Sequence, residues 1–395
     1  MDPATVFRRV NVELRQQAVS LYRRLEHPLS SNASFQYFLI SDGLMLFGGC
    51  FYQIILPGLV MEITGNTRAI AAAILLAGVA RISLMLPGGM LSDAVSPKHL
   101  ILVASLLRLG VLITMTELVV LGRMNTPALL GISFTFGAAE AIALPVRGVL
   151  TRWLAQEGQL LKANSMLLGQ EKMIGLAGPT IAGFTLIWLG KSAGVGLPGW
   201  NSPEKVCALA IQCLVVAASI LLLLRMKAAR PLQQGVQPGV HLAQDGSLKE
   251  LALLIIHQKR LRKPFLNVLA FNVLSTGPLY IGLPILAASR FADVAGALGF
   301  LTSASGCGAL LGTTLPGLLR QGGSRSLDRM SLVAGGLLAA GLAGFFAARS
   351  VGLATLAVIA IGTAASLVNL NAITCIQLET PPAFLGRMMG LLNLK

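Results

Sequence analysis

Charge is scarce in this chain of 395 residues: Asp, Glu, Lys and Arg make up 12% of it, about half of what a soluble domain carries. Acid is scarcest, with 16 Asp and Glu against 31 Lys and Arg. Histidine is nearly absent, and His27, His99, His241 and His257 all fall outside the apolar runs. Neither a Walker-type phosphate loop nor a His-x-x-x-x-Asp pattern occurs, so an enzyme or an ATP-driven pump finds little support. The cysteines are few, and Cys50, Cys207, Cys213, Cys307 and Cys375 lie inside apolar runs without ligand spacing. That argues against disulfides, against a metal site and against a bound cofactor. Residues 1–33 hold no apolar core of signal-peptide type, so the chain reads as inserted rather than secreted.

What is abundant is apolar length. Hydrophobic residues make up 54% of the chain and the mean hydropathy is +0.74. About 20 mainly apolar residues cross a bilayer as a helix. Candidate spans fall at 35–60, 68–91, 99–121, 127–147, 163–189, 206–226, 264–288, 295–319, 329–348 and 352–377. The expectation is an all-α, multi-pass membrane protein. A net charge of +15 in a soluble protein would suggest nucleic acid, but its distribution argues otherwise. With the N-terminus inside, the external segments hold only Arg68, Arg123, Lys191, Lys205, Arg290 and Arg349, while cytoplasmic ones hold most of the rest. This is the positive-inside asymmetry, and it makes anionic lipid headgroups the expected partners of these cations.

The organisation divides into a leader at 1–33, a six-span half at 34–227, a linker at 228–263 and a second half at 264–395. In the leader, Phe7, Val10, Leu14, Ala18, Leu21 and Leu25 recur at helical spacing with Arg8, Arg9, Arg15, Arg23 and Arg24 around them, as in an interfacial helix or, on the simpler reading, a loosely ordered basic leader. Two similar stretches, LPGGMLSDAVSPKHL at 86–100 and LPGLLRQGGSRSLDR at 315–329, occupy the same place in each half. Gly and Pro there are expected to make cytoplasmic turns. Repeated halves about an axis along the membrane normal are a transporter architecture. The stretch ETPPAFLGRMMGLLNLK then reads as the start of an eleventh span, in a fragment or a natural short form.

GGMLSDAVSPK resembles the loop motif of the major facilitator superfamily: Gly89, Leu91, Asp93 and Lys98 match it, while Ala94, Ser96 and Pro97 depart. The region 143–183, GPLYIGLPILAASRF at 277–291 and ETPPAFLGRMMGLLN at 379–393 are similar to the branch containing the bacterial enterobactin exporter and macrolide efflux pumps. The resemblance implies two pseudo-symmetric six-helix halves, here running out in helix 11. It implies a monomeric, proton-coupled exporter of small amphipathic molecules in the bacterial cytoplasmic membrane, working by alternating access. Gly175, Gly178, Pro179 and Gly183 resemble the family's antiporter motif in span 5. The acid the family often places in span 1 is replaced by Gly49, and Asp42, seven residues earlier, is the nearest substitute. A non-transporting or inactive membrane protein with a structural role is the alternative.

Ionisable groups inside a bilayer cost several kcal/mol, from about 2.5 upward, so each is a functional candidate. Asp42, Arg81, Arg108, Glu117, Glu140, Glu171 and Lys172 lie within the expected spans. All are in the first half. Asp42, Glu140 and Glu171 are the proton-coupling candidates, because ionisation there can be linked to the side on which the cavity opens. Arg81, Arg108 and Lys172 are candidate ion-pair partners, with Asp42 expected to meet Arg81 because consecutive spans are antiparallel. For the loop motif, the superfamily resemblance implies that Asp93 meets Arg387 or the amides of 385–388 in the outward-open state and parts from them in the inward-open one.

Overall fold

The structure is a computed structural model that describes residues 32–155, 157–192, 203–227, 257–276, 294–318 and 324–393, with Leu29 and Ile255 beside them. Eleven α-helices run through these residues, with no strand among them. They are α1 (Ala33–Thr64), α2 (Thr67–Ala94), α3 (Pro97–Val120), α4 (Thr126–Leu154), α5 (Leu160–Ser192) and α6 (Pro203–Arg225) in the first half. The second half holds α7 (Lys259–Thr276), α8 (Val294–Leu318), α9 (Ser324–Ala347), α10 (Val351–Glu379) and α11 (Leu385–Asn393). In hydrocarbon every backbone group must be satisfied within its own segment, which leaves helices as the solution for such a chain. Most of the leader and linker, the loop at 193–202 and residues 277–293 lie outside the described residues.

Helix starts are set by short polar side chains. Asn32 accepts from the Ser34 and Phe35 amides at 3.1 and 3.2 Å, Asn66 from Arg68 at 2.9 Å, Asn125 from Ala128 at 2.9 Å and Ser350 from Leu353 at 3.3 Å. Each meets amide donors that the first turn leaves open. Gly65, at φ 61°, ends α1 in the left-handed conformation that glycine adopts without strain.

By length and composition, α1, α2, α3, α4, α6, α9 and α10 can cross a membrane. α5 carries Asn164, Gln170, Glu171 and Lys172, and α7 opens on Lys259, Arg260, Arg262 and Lys263. The chain reverses within 86–100 as expected, but not at its glycines. Pro87, Gly88 and Gly89 are inside α2, and the reversal is made by Val95 and Ser96, with Pro97 at the first position of α3. Proline needs no amide partner there.

The glycines serve packing instead. A Cβ on Gly137 of α4 would lie 2.2 Å from the Ala77 carbonyl oxygen of α2, and one on Gly88 would lie 2.8 Å from that of Ala141. The second half repeats the device. A Cβ on Gly308 of α8 would lie 2.2 Å from the Ile359 oxygen of α10, and one on Gly362 would lie 2.5 Å from that of Ser305. Backbone-to-backbone contact at small residues is how helices associate where lipid supplies no hydrophobic drive. The pairs α2/α4 and α8/α10 thus correspond, as two pseudo-symmetric halves require.

The halves meet through buried polar groups. Asn164 of α5 donates to Thr374 Oγ1 (3.0 Å) and Gln377 Oε1 (2.6 Å) of α10, and Gln377 donates to the Gly148 carbonyl of α4 (2.9 Å). Arg152 of α4 donates to the Thr380 carbonyl at the end of α10. Overpacking a tight contact costs about 1–3 kcal/mol. Gly137→Val should therefore lower the melting temperature of the purified protein clearly. Gly110→Val, with open space around that position, should leave it nearly unchanged.

Candidate functional site

The intramembrane charges are carried by all of the first five helices, and they resolve into two clusters. In the first, the Arg147 guanidinium of α4 forks between two helices. Its Nη2 lies 2.9 Å from Asp42 Oδ2 on α1, and its Nη1 lies 2.7 Å from Glu171 Oε2 on α5. Nη2 also donates to the Leu167 carbonyl at 3.1 Å. Lys172 Nζ reaches the other Glu171 oxygen at 3.2 Å. The Asp42 contact is ionic without hydrogen-bond alignment, whereas the Glu171 contact is aligned.

In the second cluster Glu140 of α4 takes Arg108 of α3 at 2.7 Å and Arg81 of α2 at 3.6 Å. Arg108 lies 4.5 Å above the Phe136 ring, whose other neighbour is Tyr52, stacked at 3.8 Å. A guanidinium over an aromatic face keeps part of its stabilisation away from water. A cavity of about 90 Å³ joins the clusters, lined by Asp42, Arg147, Arg108 and Glu140 together with Ser41 and Ser105. It has room for several waters. It lies within the first half, among α1, α3, α4 and α6.

One sequence expectation is corrected here. Asp42 does not meet Arg81, because α1 packs on α5 and α6 while α2 packs on α4 and α11; antiparallel neighbours in sequence are not neighbours in the bundle. Arg147, the last residue of the expected fourth span and absent from the sequence candidates, is at the centre of the first cluster. The helix continues through Pro145 to Leu154, which carries Arg147 inward. The signal was available: Arg147 stands seven residues from Glu140, on nearly the same helix face. Glu117 sits near the outer end of α3 and makes no ion pair among the described residues.

The motif residues separate. Asp93, 5% exposed, accepts from the Gly386 amide at 2.6 Å and the Arg387 amide at 3.3 Å, with Arg387 Nε 3.4 Å away. These amides open α11 and lack intrahelical partners. A Cβ on Gly89 would lie 2.6 Å from the Gly386 oxygen, so this contact is backbone against backbone. Lys98 turns away and donates to the Leu224 and Met226 carbonyls at the end of α6. In α5, Pro179 is inside the helix and Gly178 faces Cys50 of α1, where a Cβ would lie 2.5 Å from its sulfur. Gly175 and Gly183 face open space, so close helix approach uses one of the three glycines. Among the described residues no His, Cys, Asp and Glu grouping could hold a metal.

The family model described as Major Facilitator Superfamily matches residues 38–394. No curated protein matches. Among solved structures, the chain is similar to the E. coli fucose:proton symporter at 15% identity, covering 91% of this chain and 88% of that one, with a TM-score of 0.67. It is similar to the human organic anion transporter MFSD10 at 14% identity, covering 93% and 90%, with a TM-score of 0.67. A bacterial homologue of the iron transporter ferroportin, in an outward-facing state, matches at 16% identity over 91% and 88%, with a TM-score of 0.64.

The ion clusters yield a test by double-mutant cycle. Removing one partner of a buried pair costs about 3–5 kcal/mol through the stranded charge. Asp42→Asn and Arg147→Gln should therefore couple strongly when stability is read in purified protein. Asp42→Asn and Arg81→Gln should be additive within about 0.5 kcal/mol.

Proposed function

This chain belongs to the major facilitator superfamily, and from that premise we propose that it is a secondary active transporter exporting a small amphipathic molecule in exchange for protons. The observation that carries this reading is the three-helix cluster of Asp42, Arg147 and Glu171. Arg147 is shared by two carboxylates, and the one on α1 is held without hydrogen-bond alignment. Protonation of Asp42 removes one of the two attractions and leaves the guanidinium with Glu171 and the Leu167 carbonyl. The tie between α1 and α4 then loosens while that between α4 and α5 persists. A proton taken up at this point is thereby exchanged for a change in helix packing. Glu140, on the same cavity, is the second carboxylate a proton can reach. Neither role requires a cofactor.

On this reading the chain resides in the bacterial cytoplasmic membrane as a monomer, with its N-terminus in the cytoplasm and its partners limited to protons, substrate and lipid. The contact between Asp93 and the first turn of α11 holds the cytoplasmic ends of the halves together. An acid at a helix N-terminus contributes up to about 2 kcal/mol when partly buried. That is enough to bias two nearly balanced states.

Two experiments test these roles. In everted vesicles, the wild-type protein should drive uptake of amphipathic fluorescent dyes when the interior is acid. Asp42→Asn should abolish that uptake and leave dye exchange without a gradient measurable. Gradient-driven uptake equal to wild type, or no dye moved by either protein, would overturn the coupling role. For the switch, a cysteine in place of buried Ser165 on α5 reports opening of the cytoplasmic seam. Asp93→Asn should raise its alkylation from that side, by up to about 30-fold, and unchanged alkylation would remove Asp93 from the switch.

A further inference from the structure

The intramembrane layer does not balance. Arg81, Arg108, Arg147 and Lys172 stand against Asp42, Glu140 and Glu171, four cations to three carboxylates. Each Glu is shared between a close arginine at 2.7 Å and a second, more distant cation. For Glu171 that second cation is Lys172, at 3.2 Å, with its side chain 35% exposed. A carboxylate already bound to a guanidinium compensates an ammonium poorly, and an under-compensated cation inside a membrane is costly.

Lys172 also faces the other half. Gly169, three residues before it, packs against Thr314 of α8, and Leu176, four residues after it, reaches Gly306 of the same helix. Spacings of three and four put Lys172 on that face of α5. The opposite wall has no acid to offer, because the stretches 264–288, 295–319, 329–348 and 352–377 contain no Asp or Glu. On the same face of α5, four residues on, Leu176 is exposed apolar surface. The seam between the halves therefore presents one spare positive charge, an apolar shelf and an uncharged far wall.

We propose that the exported molecule is an amphipathic anion whose carboxylate, sulfonate or phosphate group is received by Lys172 while its apolar body lies along α5 and α8. This rests on the transporter reading above and names its substrate class. The anion supplies the missing negative charge of the layer, so occupied and empty sites differ by one compensated cation. A cationic amphiphile of the same shape meets the opposite condition. It adds a second uncompensated charge at the same place.

The test is equilibrium binding to the full-length protein in nanodiscs of phosphatidylcholine alone, which removes anionic headgroups as competing ligands. The probes are two dansyl-labelled alkyl chains of equal length, one ending in a carboxylate and one in a trimethylammonium. The carboxylate should bind at least about tenfold more tightly, as a charge-assisted contact supplies. Lys172→Gln should erase that preference, Lys172→Arg should keep most of it and Lys172→Glu should invert it. Arg123→Gln, on the exposed outer turn, should change nothing. Equal binding of the two probes, tighter binding of the cation, binding of neither, or a Lys172→Gln protein that keeps the preference would each overturn the proposal. Binding needs no gradient, so these results are independent of whether Asp42→Asn uncouples transport.

Discussion

The first half depends on one guanidinium. Among the described residues Arg147 is the group that ties α1, α4 and α5 together electrostatically, with Asp42 at 2.9 Å and Glu171 at 2.7 Å on either side. Withdrawing three charges from water is expensive, and the mutual attraction offsets that expense only when every member is present. The constraint therefore reaches beyond the cluster. α4 must continue as a helix past Pro145 to deliver Arg147. α1 must lie beside α5, which Gly178 permits by leaving room for Cys50. The Leu167 carbonyl must turn toward the cluster to accept from Nη2. Moving any one of these helices alone strands a charge.

Around that fixed point the two halves are assembled by close backbone contact rather than by large side chains. Gly137 and Gly88 bring α2 and α4 together, and Gly308 and Gly362 do the same for α8 and α10. Such contacts are stiff, because no side chain can adjust to fill a gap. Where α4 and α5 meet α10 the groups are of another kind: the side chains of Asn164, Thr374, Gln377 and Arg152 and the peptide carbonyls of Gly148 and Thr380.

Much of this was legible in the sequence, and the failures have a common cause. Apolar runs located the helices, since hydropathy reports burial in lipid directly. The repeated LPG stretch revealed the doubled architecture. What could not be read was which helices touch. Asp42 and Arg81 sit at similar depth, yet α1 and α2 diverge, and no local pattern encodes that. Gly88 and Gly89 suggest a turn because glycine breaks isolated helices; in a packed membrane bundle the neighbouring backbone reverses that preference. Arg147 escapes a reading of the sequence for a related reason. A proline and an arginine together look like the end of a span, and only the tertiary partners, Asp42 and Glu171, make a charged residue tolerable further in.

The chemistry of the seam between α5 and α10 bears on how the halves can part. Asn164, Thr374 and Gln377 are almost fully buried, and they bond across the halves without any net charge. A neutral hydrogen bond contributes only about 0.5–1.5 kcal/mol net, so several of them hold the closed form by a margin that differential binding of a substrate or a proton can overcome. Buried ion pairs in the same position would behave differently, because opening them means rehydrating charges in a narrow space. The chain keeps its strong ionic ties inside one half, at Arg147 and Glu140, and uses weak neutral ties between halves. Arg152 and Asp93 are the charged exceptions, and Asp93 is placed where an exception is useful. It sits at the edge of the seam against amides that open a helix, where one charge acts on a balance that the neutral bonds leave close to even.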